Sequence, residues 1–149
     1  MEMPVSGTEP VVDVETQRAI EALLTEFAYR VDHGQADRVH ELFTPDATLS
    51  TPAFVLKSRD EIEERFKARA KDTSRRTRHF WSNLHLSREG ETIVAVTNAM
   101  TVVAPEGVAP LMMGGSSRDV CVERDGRWAF QSRALTMIFE GRLSSEAHP

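Results

Sequence analysis

Cysteine is almost missing from this chain. Cys121 is the only one, so disulfide frameworks, thiolate zinc sites and Cys-x-x-Cys redox chemistry are excluded. Long apolar runs are missing too: none approaches the ~18 residues that a membrane-crossing helix needs. No basic stretch followed by an apolar one comes after Met1, so a secretory leader is not expected and the expected setting is cytoplasmic. Basic residues are in deficit, 18 Lys+Arg against 23 Asp+Glu, and a net charge of −5 argues against a nucleic-acid surface. His-x-His, His-x-x-x-His and clustered carboxylates are lacking, so no metal site is expected. Gly114-Gly115 lies inside a strand pattern and not at a strand-to-helix turn. It suits a sheet bend or bulge and not a phosphate loop. What is present is 149 residues, 40% hydrophobic and 28% charged, which fits one domain with a sizeable core.

Residues 1–12 mix Pro, Gly, Ser and Thr without periodicity and read as a loose arm before a domain at 13–140 and a tail at 141–149. Ile20, Leu23, Leu24, Phe27 and Val31 recur at helical spacing, which predicts an amphipathic helix from about Asp13 to His33, closed by Gly34. A second, short helix is expected from Asp37, with Val39, Leu42 and Phe43 facing inward and Pro45 closing it. Ala47–Leu49 and Ala53–Leu56 read as pieces of a bent edge segment. Ser58 and Glu61 have the spacing of a capping box, and Ile62, Phe66 and Ala70 predict a third helix from Arg59 to about Lys71. From His79 onward the period changes to two. Glu89-Gly90, Pro105-Glu-Gly107 and Asp125-Gly126 are turn signals separating strands at His79–Leu86, Ile93–Val103, Leu111–Glu123 and Trp128–Phe139. Helices first and an antiparallel meander after them give an α+β class, with the helices as the only cover for one face of the sheet.

Several residues stand out against this frame. Asp32 lies beside the buried stripe of the first helix, one turn from Tyr29. There the helix dipole disfavours a carboxylate by ~0.3–1 kcal/mol, so a cation or a polarised imidazole is expected near it. His79 shares a strand face with Trp81 and Asn83. In apolar surroundings it suits a base near neutral pH, provided a carboxylate fixes its tautomer. Arg133 is unusual at a strand centre: either it pairs with a carboxylate or it reaches a pocket as an electrostatic clamp. Cys121, between Val120 and Val122, reads as core. Met100, Met112, Met113 and Met137 read as core or cavity lining.

Four motifs in order carry a resemblance. Tyr29-Arg-Val-Asp32-His-Gly34, Leu42-Phe43-Thr-Pro-Asp46-Ala, Arg78-His79-Phe-Trp-Ser-Asn83-Leu and Arg124-Asp-Gly126-Arg-Trp128-Ala-Phe130-Gln-Ser-Arg133 together resemble the SnoaL-like branch of the NTF2-like superfamily. Within it the chain looks most like the scytalone dehydratase and hexachlorocyclohexane dehydrochlorinase families. The resemblance implies an α+β cone, with three N-terminal helices packed on a strongly curved, mainly antiparallel sheet around one apolar pocket. It also implies a His–Asp dyad that removes a proton without metal or organic cofactor. On the matching positions His79 is the general base and Asp32 orients it, while Tyr29 and Arg133 polarise a leaving oxygen or carbonyl. Phe27, Trp81, Asn83 and Met113 then line the pocket. The expected activity is of lyase or isomerase type, as in a dehydratase or dehydrohalogenase, on a small hydrophobic cyclic molecule in a homo-oligomer. The alternatives are a non-catalytic subunit like the β subunits of ring-hydroxylating dioxygenases, or a carrier of hydrophobic ligands.

Overall fold

The computed structural model of the chain describes residues 11–143, so the expected N-terminal arm lies mostly outside the described residues, as does most of the tail. Helix α1 (Val14–Asp32) starts where Asp13 accepts the Thr16 N–H at 2.8 Å. Its buried stripe is Ile20, Leu23, Leu24 and Val31, with Phe27 partly buried against the same core. Helix α2 (Arg59–Lys71) is capped by Ser58, which accepts the Glu61 N–H at 3.1 Å, and Glu61 reaches back to the Lys57 N–H. Each such cap contributes about 1 kcal/mol.

Six strands form one sheet in the order β2-β1-β6-β5-β4-β3. They are β1 (Phe43–Ser50), β2 (Val55–Leu56), β3 (Thr77–Glu89), β4 (Thr92–Val103), β5 (Leu111–Arg124) and β6 (Arg127–Arg142). All neighbours are antiparallel except β1 and β6, which run parallel, so the sheet is mixed. The three helical segments pack on this curved, open sheet, which is the α+β architecture expected from the resemblance. Phe27 meets Phe43, Phe66 and Phe130 edge-on, with ring centres 5.9–6.2 Å apart, and these rings join helices to sheet.

The second helix differs from expectation. It is a 3-10 segment, Ala36–Leu42, with Gln35 and not Asp37 at the N-cap position and no side-chain cap bond, and Phe43 already has the extended backbone of β1 opposite Phe130. Pro45 therefore sits in a strand. The β1–β6 register shifts between Phe43 and Thr48, where a residue without an N–H interrupts no ladder bond. A second departure is in β3. The register with β4 shifts between Ser82 and His85, and Asn83 takes φ 55° there. Two residues, Asn83 and Leu84, thus oppose one, and the inward positions change from Thr77, His79 and Trp81 to Leu84 and Leu86.

The Gly114-Gly115 pair is a bulge, with the β5–β6 register shifting between its two members. A Cβ on Gly115 would overlap the Thr136 carbonyl oxygen, and one on Gly114 would overlap the Phe139 ring. Backbone cannot give way as a flexible side chain can. Gly115→Ala is expected to destabilise the fold by about 1–3 kcal/mol, read as a lowered midpoint in urea denaturation, whereas Gly141→Ala, with open space around it, should not.

Candidate active site

Asp32 is the last residue of α1, and Gly34, at φ 79°, turns the chain away just beyond it. The carboxylate then faces the start of β3. Its Oδ1 accepts from the Thr77 hydroxyl at 2.8 Å and lies 2.6 Å from His79 Nδ1; its Oδ2 accepts the His79 backbone N–H at 2.7 Å. Burial pushes the Asp32 carboxyl up, but the ring, amide and charge of His79 and the Thr77 hydroxyl outweigh it, and the group is held below its ordinary value. An ionised carboxylate only accepts, so Nδ1 carries the proton and the lone pair of neutral His79 lies on Nε2. The side chain of Asp32 is 5% exposed and that of His79 26%, so one partner is enclosed while the other stays accessible.

Around this pair, Trp81 donates its Nε1–H to Thr25 of α1 at 3.2 Å, so two residues of β3 are fastened to one side of the helix. Met113 lies on the same cross-strand row as His79, with Thr101 between them. Tyr29 does not join the group. Its ring is half-exposed and stacks on His33 at 4.8 Å, because it stands ~60° round the helix from Asp32, on the solvent side. Asn83 is exposed in the β3 bulge and forms no side-chain bond with His79 or Trp81 among the described residues. Phe27 belongs to the aromatic core.

Arg133 takes the first of its two readings. Its Nε and Nη2 hold Asp119 at 2.9 and 3.2 Å, Ser117 donates to Asp119 at 2.8 Å, and the guanidinium lies 4.3 and 4.5 Å from the ring centres of Phe27 and Phe130. Asp119 is fully buried, so this pair exists only because each partner answers the other. Neither Thr77 nor Asp119 was singled out from sequence. Thr77 was legible as the residue two before His79 on the same face; Asp119 requires the β5–β6 register that sets it opposite Arg133. Cys121 is core: burial, then Asp119, pushes its thiol up to about 12, which leaves no thiolate near neutral pH. Among the described residues no three His, Cys, Asp or Glu side chains group closely enough to share a cation.

Two outcomes follow. A depressed carboxyl stabilises the fold fully above its unfolded value, about pH 4, and ceases to do so as pH falls through the lowered folded value. Wild-type and Asp32→Asn acid-unfolding curves should therefore lie apart at neutral pH and converge as that window is crossed; a constant gap throughout would contradict the depressed carboxyl. Asp119→Ala should cost about 3–5 kcal/mol in urea denaturation, and the double change Asp119→Leu with Arg133→Met should restore most of it.

Known proteins share this fold. No curated protein matches the chain in sequence. Among solved structures, a provisionally assigned scytalone dehydratase from Novosphingobium aromaticivorans is 21% identical, with 90% of this chain and 91% of that one covered and a TM-score of 0.79. A type 2 hexachlorocyclohexane dehydrochlorinase, LinA, is 17% identical over 91% of this chain and 94% of its own, with a TM-score of 0.78. ActVI-ORFA from Streptomyces coelicolor is 17% identical over 83% and 98%, at 0.67. No helix among the described residues is long and apolar enough to cross a membrane. The SnoaL-like domain profile matches residues 12–134, most of the chain, and the protein belongs to that family, within the NTF2-like superfamily.

Proposed function

We propose that this chain is a cofactor-independent enzyme of lyase or isomerase type in which His79 removes a proton from carbon and Asp32 orients it. The contact of 2.6 Å between Asp32 Oδ1 and His79 Nδ1 carries the proposal, because it leaves Nε2 as the basic nitrogen of a side chain that stays partly accessible. In elimination, Nε2 takes the proton and the C–H electrons form the new double bond. The leaving group departs with the bonding pair as halide, or as water when the imidazolium passes the abstracted proton from Nε2 to its oxygen. In isomerisation the imidazolium returns the proton to another carbon. Asp32 stabilises the imidazolium through the same bond. The fold similarity to a provisional scytalone dehydratase and to LinA supports this class and a small, hydrophobic, cyclic substrate. Trp81, on the same face of β3 as His79, and Met113, on the same cross-strand row, suit an apolar wall. Arg133, engaged by Asp119 and packed on Phe27 and Phe130, is assigned to holding β5, β6 and α1 together.

We also place the protein in the cytoplasm and as a homo-oligomer. Phe80, Met100, Gly114 and Phe139 follow one another across β3, β4, β5 and β6, with Phe80 and Phe139 about half exposed, and Ile138 is 81% exposed beside them. A second copy of the sheet is the occupant that suits such an apolar row.

The test uses scytalone and hexachlorocyclohexane as first probes, followed by cyclic β-hydroxy ketones, with loss of the substrate C–H read by NMR in deuterated water. Wild-type protein should exchange or eliminate, and His79→Ala should be slower by about 10²–10⁴-fold while remaining folded. Undiminished turnover by that variant would overturn the assignment. Binding without conversion across the panel would favour the carrier, and activity only with a second, larger chain would favour the subunit.

A further inference from the structure

Next to the Asp32–His79 pair, positive charge collects where the ends of α1 and α2 meet the start of β3. A cleft of about 600 Å³ opens there, and Arg69, Arg75, Arg76 and Arg78 line it together with Asp32 and Asp72. Four guanidiniums around one cleft run against the net charge of −5. Among the described residues none of the four forms an ion pair with a carboxylate.

Neutral oxygens hold three of them instead. Arg69 Nη2 donates to the Arg75 carbonyl at 3.0 Å and to the Thr77 hydroxyl at 3.2 Å. Arg76 Nε donates to the Ala104 carbonyl at 3.1 Å, and Arg78 Nη1 to the Thr77 carbonyl at 2.7 Å. Carbonyls fix where a guanidinium stands and leave its charge intact. The two aspartates are occupied elsewhere: Asp72 Oδ1 accepts from the amide and hydroxyl of Ser74, and Asp32 is enclosed by Thr77 and His79. Val31, Ala36 and Thr77, which also line the cleft, are buried, and such a low-dielectric wall screens the field less than water does. Burial and the charge of Arg75 disfavour the charged form of Arg69, and Asp72 and Asp32 offset only part of this.

We propose that this cleft binds a small polyanion, with the arginine forks engaging the oxygens of a phosphate or polycarboxylate group. The site is separate from the His79 ring, yet a hydrogen-bond chain joins them, from Arg69 through Thr77 and Asp32 to His79. The test titrates the full chain with pyrophosphate and, separately, citrate at fixed ionic strength, by calorimetry and by the arginine Nε–H resonances. Saturable binding that moves the Arg76 and Arg78 resonances is expected. Arg75→Gln, which disturbs no side-chain hydrogen bond in the fold, should weaken it, and Arg76→Gln with Arg78→Gln should weaken it by about tenfold or more. Saturation by pyrophosphate alone assigns the phosphate class; saturation by citrate alone assigns the polycarboxylate class. No saturation with either at millimolar concentration, or equal binding by the glutamine variants, would mean an adventitious ion only and would overturn the proposal.

Discussion

The Asp32 carboxylate, with the ring and amide of His79 and the hydroxyl of Thr77 all directed at it, is the fastening on which the site depends. It joins the end of α1 to β3 across 47 residues of sequence, and a charge placed at the unfavourable end of a helix dipole stays ionised because three donors meet it. Every chemical property assigned to His79 comes from that arrangement. With Nδ1 committed as donor, the tautomer and the direction of the free lone pair are settled together.

A second polar pair works differently. Arg133 and Asp119 are cross-strand partners in the interior, and the guanidinium lies between aromatic rings that belong to helix and strand. It fixes how β5, β6 and α1 sit against one another. Charge is used there to specify packing, at a desolvation cost that a purely apolar set of side chains would avoid.

Much of the fold was legible because its determinants are local. The stripe of α1, the Ser58–Glu61 box and the Asp125-Gly126 turn each sit within a few residues of the structure they dictate, and the family motifs supplied their order. Asp32 and His79 were legible as odd polar residues, one at the wrong end of a dipole and one beside a tryptophan. The rest depended on pairing between distant strands. Phe43 becomes a strand residue because Phe130 lies opposite it, Asn83 leaves the His79 face because a bulge advances the alternation, and Arg133 meets Asp119 only in the observed register. Tyr29, one turn from Asp32, stands ~60° round the helix from it and meets His33 instead, a contact that local spacing alone does not select.

The position of β3 has one more consequence. It is the last strand of the sheet, so it has a neighbour on one side only, and the His79 amide is among the groups a marginal strand would leave open. Asp32 closes that amide with a side chain from the covering helix. One carboxylate thus serves ring and edge at once, so a change at Asp32 would free the imidazole and bare a strand amide together.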